Sequence, residues 1–131
     1  MNTTIDNIHL ATHLVYTAGN LAYRMRGQGL TIDTKTSISD VVTQADRAAE
    51  EYVTSTLIQQ RPDDSVLGEE GTLRLGESGT RWTIDPVDGT YNFANNFEYW
   101  CSAIAFTEND PTDPVRLRSR ERYLSPSNTV T

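Results

Sequence analysis

The apolar residues of this chain fall into two stretches of helical spacing, followed by shorter runs that read as strands. Ile5, Ile8, Val15, Ala18, Ala22 and Met25 recur close to every three or four positions across residues 5–26, which predicts an amphipathic helix packed on one side. Thr3 and Thr4 precede it as caps, and Gly27 and Gly29 follow as stops. A second helix is expected from about Asp40 to Gln60, where Val42, Ala45, Ala49, Val53 and Leu57 keep the same period and Pro62 closes the element. Asp40 would cap its first turn. Between the helices, Thr31 to Ser39 is polar and partly β-branched and suits a loop or a short strand pair.

Beyond Pro62 the period shortens. Ser65-Val66-Leu67 and Arg81-Trp82-Thr83-Ile84 predict short strands that each end on acids, Glu69 with Glu70 in the first case and Asp85 in the second. Gly71 to Thr80 is rich in Gly, Ser and Thr and predicts a hairpin or loop. Tyr99 to Phe106 is a continuous apolar run, consistent with a buried strand. Seven of the eleven aromatic residues lie between Trp82 and Phe106, so this region should carry much of the core packing as well as any chemistry. At residue 109 the character changes to Asp110-Pro111-Thr112-Asp113-Pro114, then Arg116-Leu117-Arg118-Ser119-Arg120-Glu121-Arg122. Low hydrophobicity there predicts disorder.

A length of 131 residues allows one domain with one core. Eighteen acidic against eleven basic residues give a formal charge of −7, which argues against nucleic acid or an anionic membrane as the partner. Cys101 is the only cysteine, so no internal disulfide forms; a small hydrophobe in an apolar run is the expected role. No stretch has the length of a membrane span, and the N-terminus lacks a basic and apolar leader. A cytoplasmic location follows as the expectation.

The densest chemistry is Trp82-Thr83-Ile84-Asp85-Pro86-Val87-Asp88-Gly89-Thr90-Tyr91-Asn92-Phe93, with Gly68-Glu69-Glu70 upstream. Asp85 and Asp88 are three apart around a proline, so a straight strand would send them to opposite faces; a turn would let both converge. Gly89 permits close backbone approach, and Thr90 brings a hydroxyl beside amide donors that can face a phosphate. Magnesium prefers carboxylate oxygens at about 2.0–2.1 Å, which a cluster of Glu69, Asp85 and Asp88 would supply. Read physically, this is a magnesium-dependent phosphate site. Aspartates two residues apart, as a phospho-aspartate phosphatase would need, are not the pattern here, and the alternating acids of a calcium-binding EF-hand are missing. His9 and His13, four apart on the first helix, lack nearby ligands for zinc and are expected as surface or packing histidines.

These motifs resemble the signature of the inositol monophosphatase family, part of the lithium-sensitive, metal-dependent phosphatase superfamily, and the likeness runs from the first helix to about Phe106. The resemblance implies an α+β fold, a layered α/β sandwich truncated to two N-terminal helices and the first part of a mainly antiparallel sheet, in residues 1–108. It implies that Glu69, Asp85 and the Val87 carbonyl bind a first Mg2+, and that Asp85 bridges to a second held by Asp88. It further implies that Thr90, hydrogen-bonded to Asp46, orients the attacking water. Gly89 and Thr90 amides would bind the phosphate, with Glu70 and Lys35 in supporting positions. On composition alone Asp46 would be an exposed surface acid. The implied activity is hydrolysis of a small phosphate monoester, inositol phosphate or histidinol phosphate, by a homodimer.

The family is considerably longer, and its second half supplies a further metal-binding aspartate and most substrate-selecting residues. Residues 109–131 are therefore expected to be foreign to the fold, from a frameshift, a premature end or a gene-prediction error. The competing expectation is a truncated, catalytically impaired homologue acting at most as a cation- or partner-binding fragment.

Overall fold

A computed structural model describes the backbone of residues 3–32, 38–69, 73–110, 113–124 and 130, and the side chains of 6–28, 44–69, 73–109, 120–124 and 130. Helix α1 spans Thr3–Ile32 and α2 spans Ile38–Gln60. Strands β1 (Ser65–Gly68), β2 (Leu73–Arg74) and β3 (Arg81–Asp88) lead to a short helix α3 (Thr90–Ala94), and β4 (Cys101–Asp110) and β5 (Asp113–Leu124) follow. The fold is α+β: two long helices lie on one face of a five-stranded sheet ordered β2-β1-β3-β4-β5. The β1–β3 pair is parallel, and the other pairs are antiparallel.

The helix faces follow the apolar period. Leu10, Ala11, Leu14, Val15, Ala18 and Ala22 of α1 are buried, as are Ala45, Ala49, Val53 and Leu57 of α2; so many alanines let the helix axes approach closely. Against them stand Val66, Trp82, Ile84, Ile104 and Phe106 from the sheet, with the Trp82 and Phe106 rings 5.0 Å apart. The other sheet face presents Leu67, Thr83, Ala103, Ala105 and Tyr123, all exposed or half-buried. His9 and His13 are exposed, on the surface side of the two alternatives.

Several boundaries differ from expectation. Helix α1 continues through Gly27 and Gly29 instead of stopping; Gly27 is exposed and a Cβ there would meet open space, and a glycine there weakens a helix by about 1 kcal/mol without breaking it. Thr31 and Ile32 are therefore helical, and Asp40 lies inside α2, two residues past its start. Strand β3 runs on past Ile84 to Asp88.

Residues 113–124, expected to be disordered, form β5 along β4 from Ser102↔Leu124 to Asp110↔Asp113. Hydropathy misled here because an outer antiparallel strand is held by ladder hydrogen bonds and cross-strand pairs, which do not require apolar side chains. Leu124 is buried, and a Cβ on Gly19 would come within 2.4 Å of its Cδ2. A glycine is what allows α1 to lie this close to β5. No helix among the described residues is long and apolar enough to cross a membrane.

Candidate active site

The parallel β1–β3 ladder pairs Gly68 with Ile84, so Glu69 and Asp85 leave neighbouring strands at the same level. The Glu69 amide donates to the Ile84 carbonyl at 3.4 Å. One residue after Asp85 the ladder breaks. Asp85 pairs with Ala103 and Asp88 with Cys101, three steps on β3 against two on β4. That is a β-bulge, and its extra residue restores the phase that an odd spacing would lose. Pro86, lacking an N–H, sits where the ladder lapses, and both Pro86 and Val87 are buried. The expected turn is thus replaced by a bulge, and Asp85 and Asp88 both lie near the Cys101 thiol.

After the bulge the chain reverses tightly. Gly89 has φ 93° and ψ 47°, a left-handed conformation that favours glycine. A Cβ there would come within 3.0 Å of the Tyr99 carbonyl and 3.3 Å of Trp100 Cα. Helix α3 then begins at Thr90, with the Phe93 amide donating to the Gly89 carbonyl at 3.0 Å. Asn92 Nδ2 donates to the Tyr99 carbonyl at 2.8 Å and Phe93 stands edge-on to Trp100, centroids 4.8 Å apart. These contacts tie α3 to the start of β4. The Ser102 hydroxyl donates to the Pro86 carbonyl.

Helix α2 adds two acids to this end of the sheet. Asp46 is only 7% exposed and Glu50, one turn later, only 4%, so Asp46 is not the surface acid that composition alone suggests. Glu50 was not visible as a site residue in the sequence. Its carboxylate lies against Gly68, where a Cβ would fall 2.4 Å from Oε1, immediately before Glu69. The available signal was its period: Ala45, Asp46, Ala49, Glu50, Val53 and Thr54 form one buried stripe.

Thr90 is exposed, and its hydroxyl donates to the Val87 carbonyl at 3.5 Å. Glu69 and Asp88 are exposed, Asp85 is half-buried, and Val87 is buried. Glu70 and Lys35 lie outside the described residues. Burial raises the Cys101 thiol pKa, with Asp88 and then Asp85 raising it further; Cys101 Sγ is 4.0 Å from Asp88 Oδ2. A thiol held protonated in this way is a poor nucleophile.

Among the described residues, which leave out Glu70, no three His, Cys, Asp or Glu side chains form a group that encloses a metal ion. The donor chemistry still fits a hard cation, with two carboxylates in phase, a third at the adjacent strand end, and a carbonyl between them.

The sequence profile of the inositol monophosphatase family matches residues 5–112. A histidinol-phosphatase of Mycobacterium tuberculosis is 42% identical over 104 residues, covering 79% of this chain and 40% of that protein. An inositol-1-monophosphatase of Synechocystis is 35% identical over 104 residues, covering 79% and 36%. Among solved structures, that of 2'AMP-bound SaIMPase-II superposes with a TM-score of 0.75 at 25% identity, over 95% of this chain and 44% of that one. The Bartonella henselae extragenic suppressor protein suhB gives 0.71 at 27% identity, over 94% and 46%. The chain thus spans roughly two-fifths of the length of the curated relatives it matches. With the sheet, the bulged acid strand and the profile in agreement, this chain belongs to the inositol monophosphatase family.

Proposed function

We propose that this chain carries the N-terminal part of a magnesium-dependent phosphomonoesterase site, acting on a small phosphate monoester of the inositol phosphate or histidinol phosphate type. The bulge that sets Asp85 and Asp88 in phase beside the Glu69 strand end supports it most directly. Glu69, Asp85 and the Val87 carbonyl would hold one Mg2+, and Asp85 with Asp88 a second. Bound magnesium would neutralise the phosphoryl oxygens, lower the pKa of a water and stabilise the departing alkoxide.

The chain's own residues do the rest. Gly89 and Thr90 offer backbone amides at the start of α3 to the phosphate. Thr90, with Asp46 from α2, orients the water. Glu70 and Lys35 are given supporting roles by the family resemblance alone, and the names of the relatives suggest the substrates. A homodimer in the cytoplasm belongs to the same proposal.

The test is phosphate release by the purified 131-residue chain from inositol monophosphate and from histidinol phosphate, with and without magnesium. Magnesium-dependent release is expected, reduced about a hundredfold or more by Asp85→Asn. Equal release by that variant would remove the assigned site. A second reading, a cation-binding fragment without turnover, is favoured by the short span, about two-fifths of the length of the relatives. Magnesium binding without release would select it.

A further inference from the structure

Arg26 occupies a place that neither the motif nor the proposed chemistry uses. It lies in the last third of α1, 4% exposed, with its guanidinium 4.7 Å from the Phe93 ring centroid, 5.5 Å from Tyr23 and 5.6 Å from Trp100. Nη1 donates to the Phe93 carbonyl at 3.2 Å and to the Phe97 carbonyl at 3.3 Å. Burial pulls its pKa down, offset by the charges of Tyr23 and Glu98; an arginine stays charged in such a setting. A buried cation that satisfies carbonyls across a helix end adds stability there, since the peptide dipoles of that end are negative.

The groups that Arg26 grips are those that shape Gly89. Phe93 receives the guanidinium on its carbonyl and gives its amide to the Gly89 carbonyl, so one residue separates the clamp from the turn. Trp100, under the same guanidinium, supplies the Cα against which Gly89 packs. Helix α3 is a single five-residue turn, too short to hold its own orientation. We propose that Arg26 is a positioning residue: it locks Phe93 and Trp100 around Gly89 and so sets where the Asp88-Gly89-Thr90 segment points. This rests on the phosphatase-site reading of that segment.

The test has two readouts on the full chain. Amide hydrogen exchange follows Phe93 and Asn95, which donate to the Gly89 and Tyr91 carbonyls, relative to the β3–β4 ladder. Manganese(II) alone, followed by loss of the free-ion EPR signal, reports cation affinity. Arg26→Met, which keeps length and loses the charge and donors, should speed exchange at Phe93 and Asn95 selectively and weaken Mn2+ binding about tenfold. Arg26→Lys, which keeps the charge without the planar fork, should recover part of both; if Arg26→Met does not fold, Arg26→Lys against the parent chain carries the test.

Exchange that rises equally in α3 and the sheet, with Mn2+ affinity unchanged, would reduce Arg26 to a general stabiliser and overturn the proposal. So would unchanged exchange. Asp85→Asn separates the two levels. If the parent chain binds Mn2+, Asp85→Asn does not, and Arg26→Met binds like the parent, the positioning role falls and the site stands. A parent chain that does not bind Mn2+ overturns both.

Discussion

The two ends of the β1–β3 ladder both carry acids, and they treat them in opposite ways. At the N-terminal end, Asp64 is buried and accepts hydrogen bonds from Trp82 Nε1 at 2.8 Å and from the Ser78 hydroxyl at 2.6 Å. Its neighbour Asp63 accepts the Glu77 amide on its side chain and the Ser78 amide on its carbonyl. At the C-terminal end, Glu69 and Asp88 reach solvent, and the neighbour of Asp88 is a weak thiol donor. The buried Asp64 carboxylate is held by neutral donors from β3 and the loop before it. Glu69 and Asp88 leave their carboxylates toward solvent, where the proposed site would have them meet a cation.

The largest effect expected from this contrast is on stability. Asp64→Ala strands the Trp82 indole and the Ser78 hydroxyl and should cost about 2–4 kcal/mol, read from urea unfolding, whereas Asp88→Ala should change stability by less than about 0.5 kcal/mol. Equal losses would dissolve the distinction between the two ends. Next comes the docking of β5. Gly19→Ala forces the Leu124 side chain aside and should cost about 1–2 kcal/mol, part of which a Leu124→Ala partner change should return in a double-mutant cycle. A neutral Gly19→Ala would mean that β5 is not held against α1.

The smallest effect concerns the outward end. The Cys101 thiol, raised by burial and by Asp88 and Asp85, should alkylate more slowly at pH 8 than a free thiol, and Asp88→Asn should speed it about threefold. The same shift has a stability sign. The folded chain keeps a proton that the unfolded chain releases, so this contribution is fully present below the ordinary thiol range and is lost as pH rises from there through the raised folded value. A rate indifferent to Asp88 would show that the two groups do not sense one another.

Much of this was legible in one dimension. Ala45, Ala49, Val53 and Leu57 announced the buried face of α2, and Trp82 with Ile84 that of β3, because burial on a regular element imposes its period. The family was legible in the segment from Trp82 to Phe93, because unlike residues in a fixed order are improbable by chance. Glu50 and Arg26 were not, since a charged side chain on a buried stripe reads as a surface residue until its partners from distant segments are known. Strand β5 escaped for a related reason: its partner is the edge of β4, and a pairing edge has no signature in composition. The bulge was half-visible, as a proline between two acids, but its count against β4 exists only in three dimensions.

The parallel register of β1 and β3 has a consequence for how the site comes into being. Glu69 and Asp85 belong to strands joined through the β2 excursion, so neither acid reaches its place until that detour closes and the ladder zips. Closing such a loop costs little more for each added residue, but the non-local contacts it rewards form late. The acids and the sheet centre should therefore appear together in time. A partly folded chain would have helices with no place for a cation, and a cation that favours the assembled end would act as a brake on unfolding.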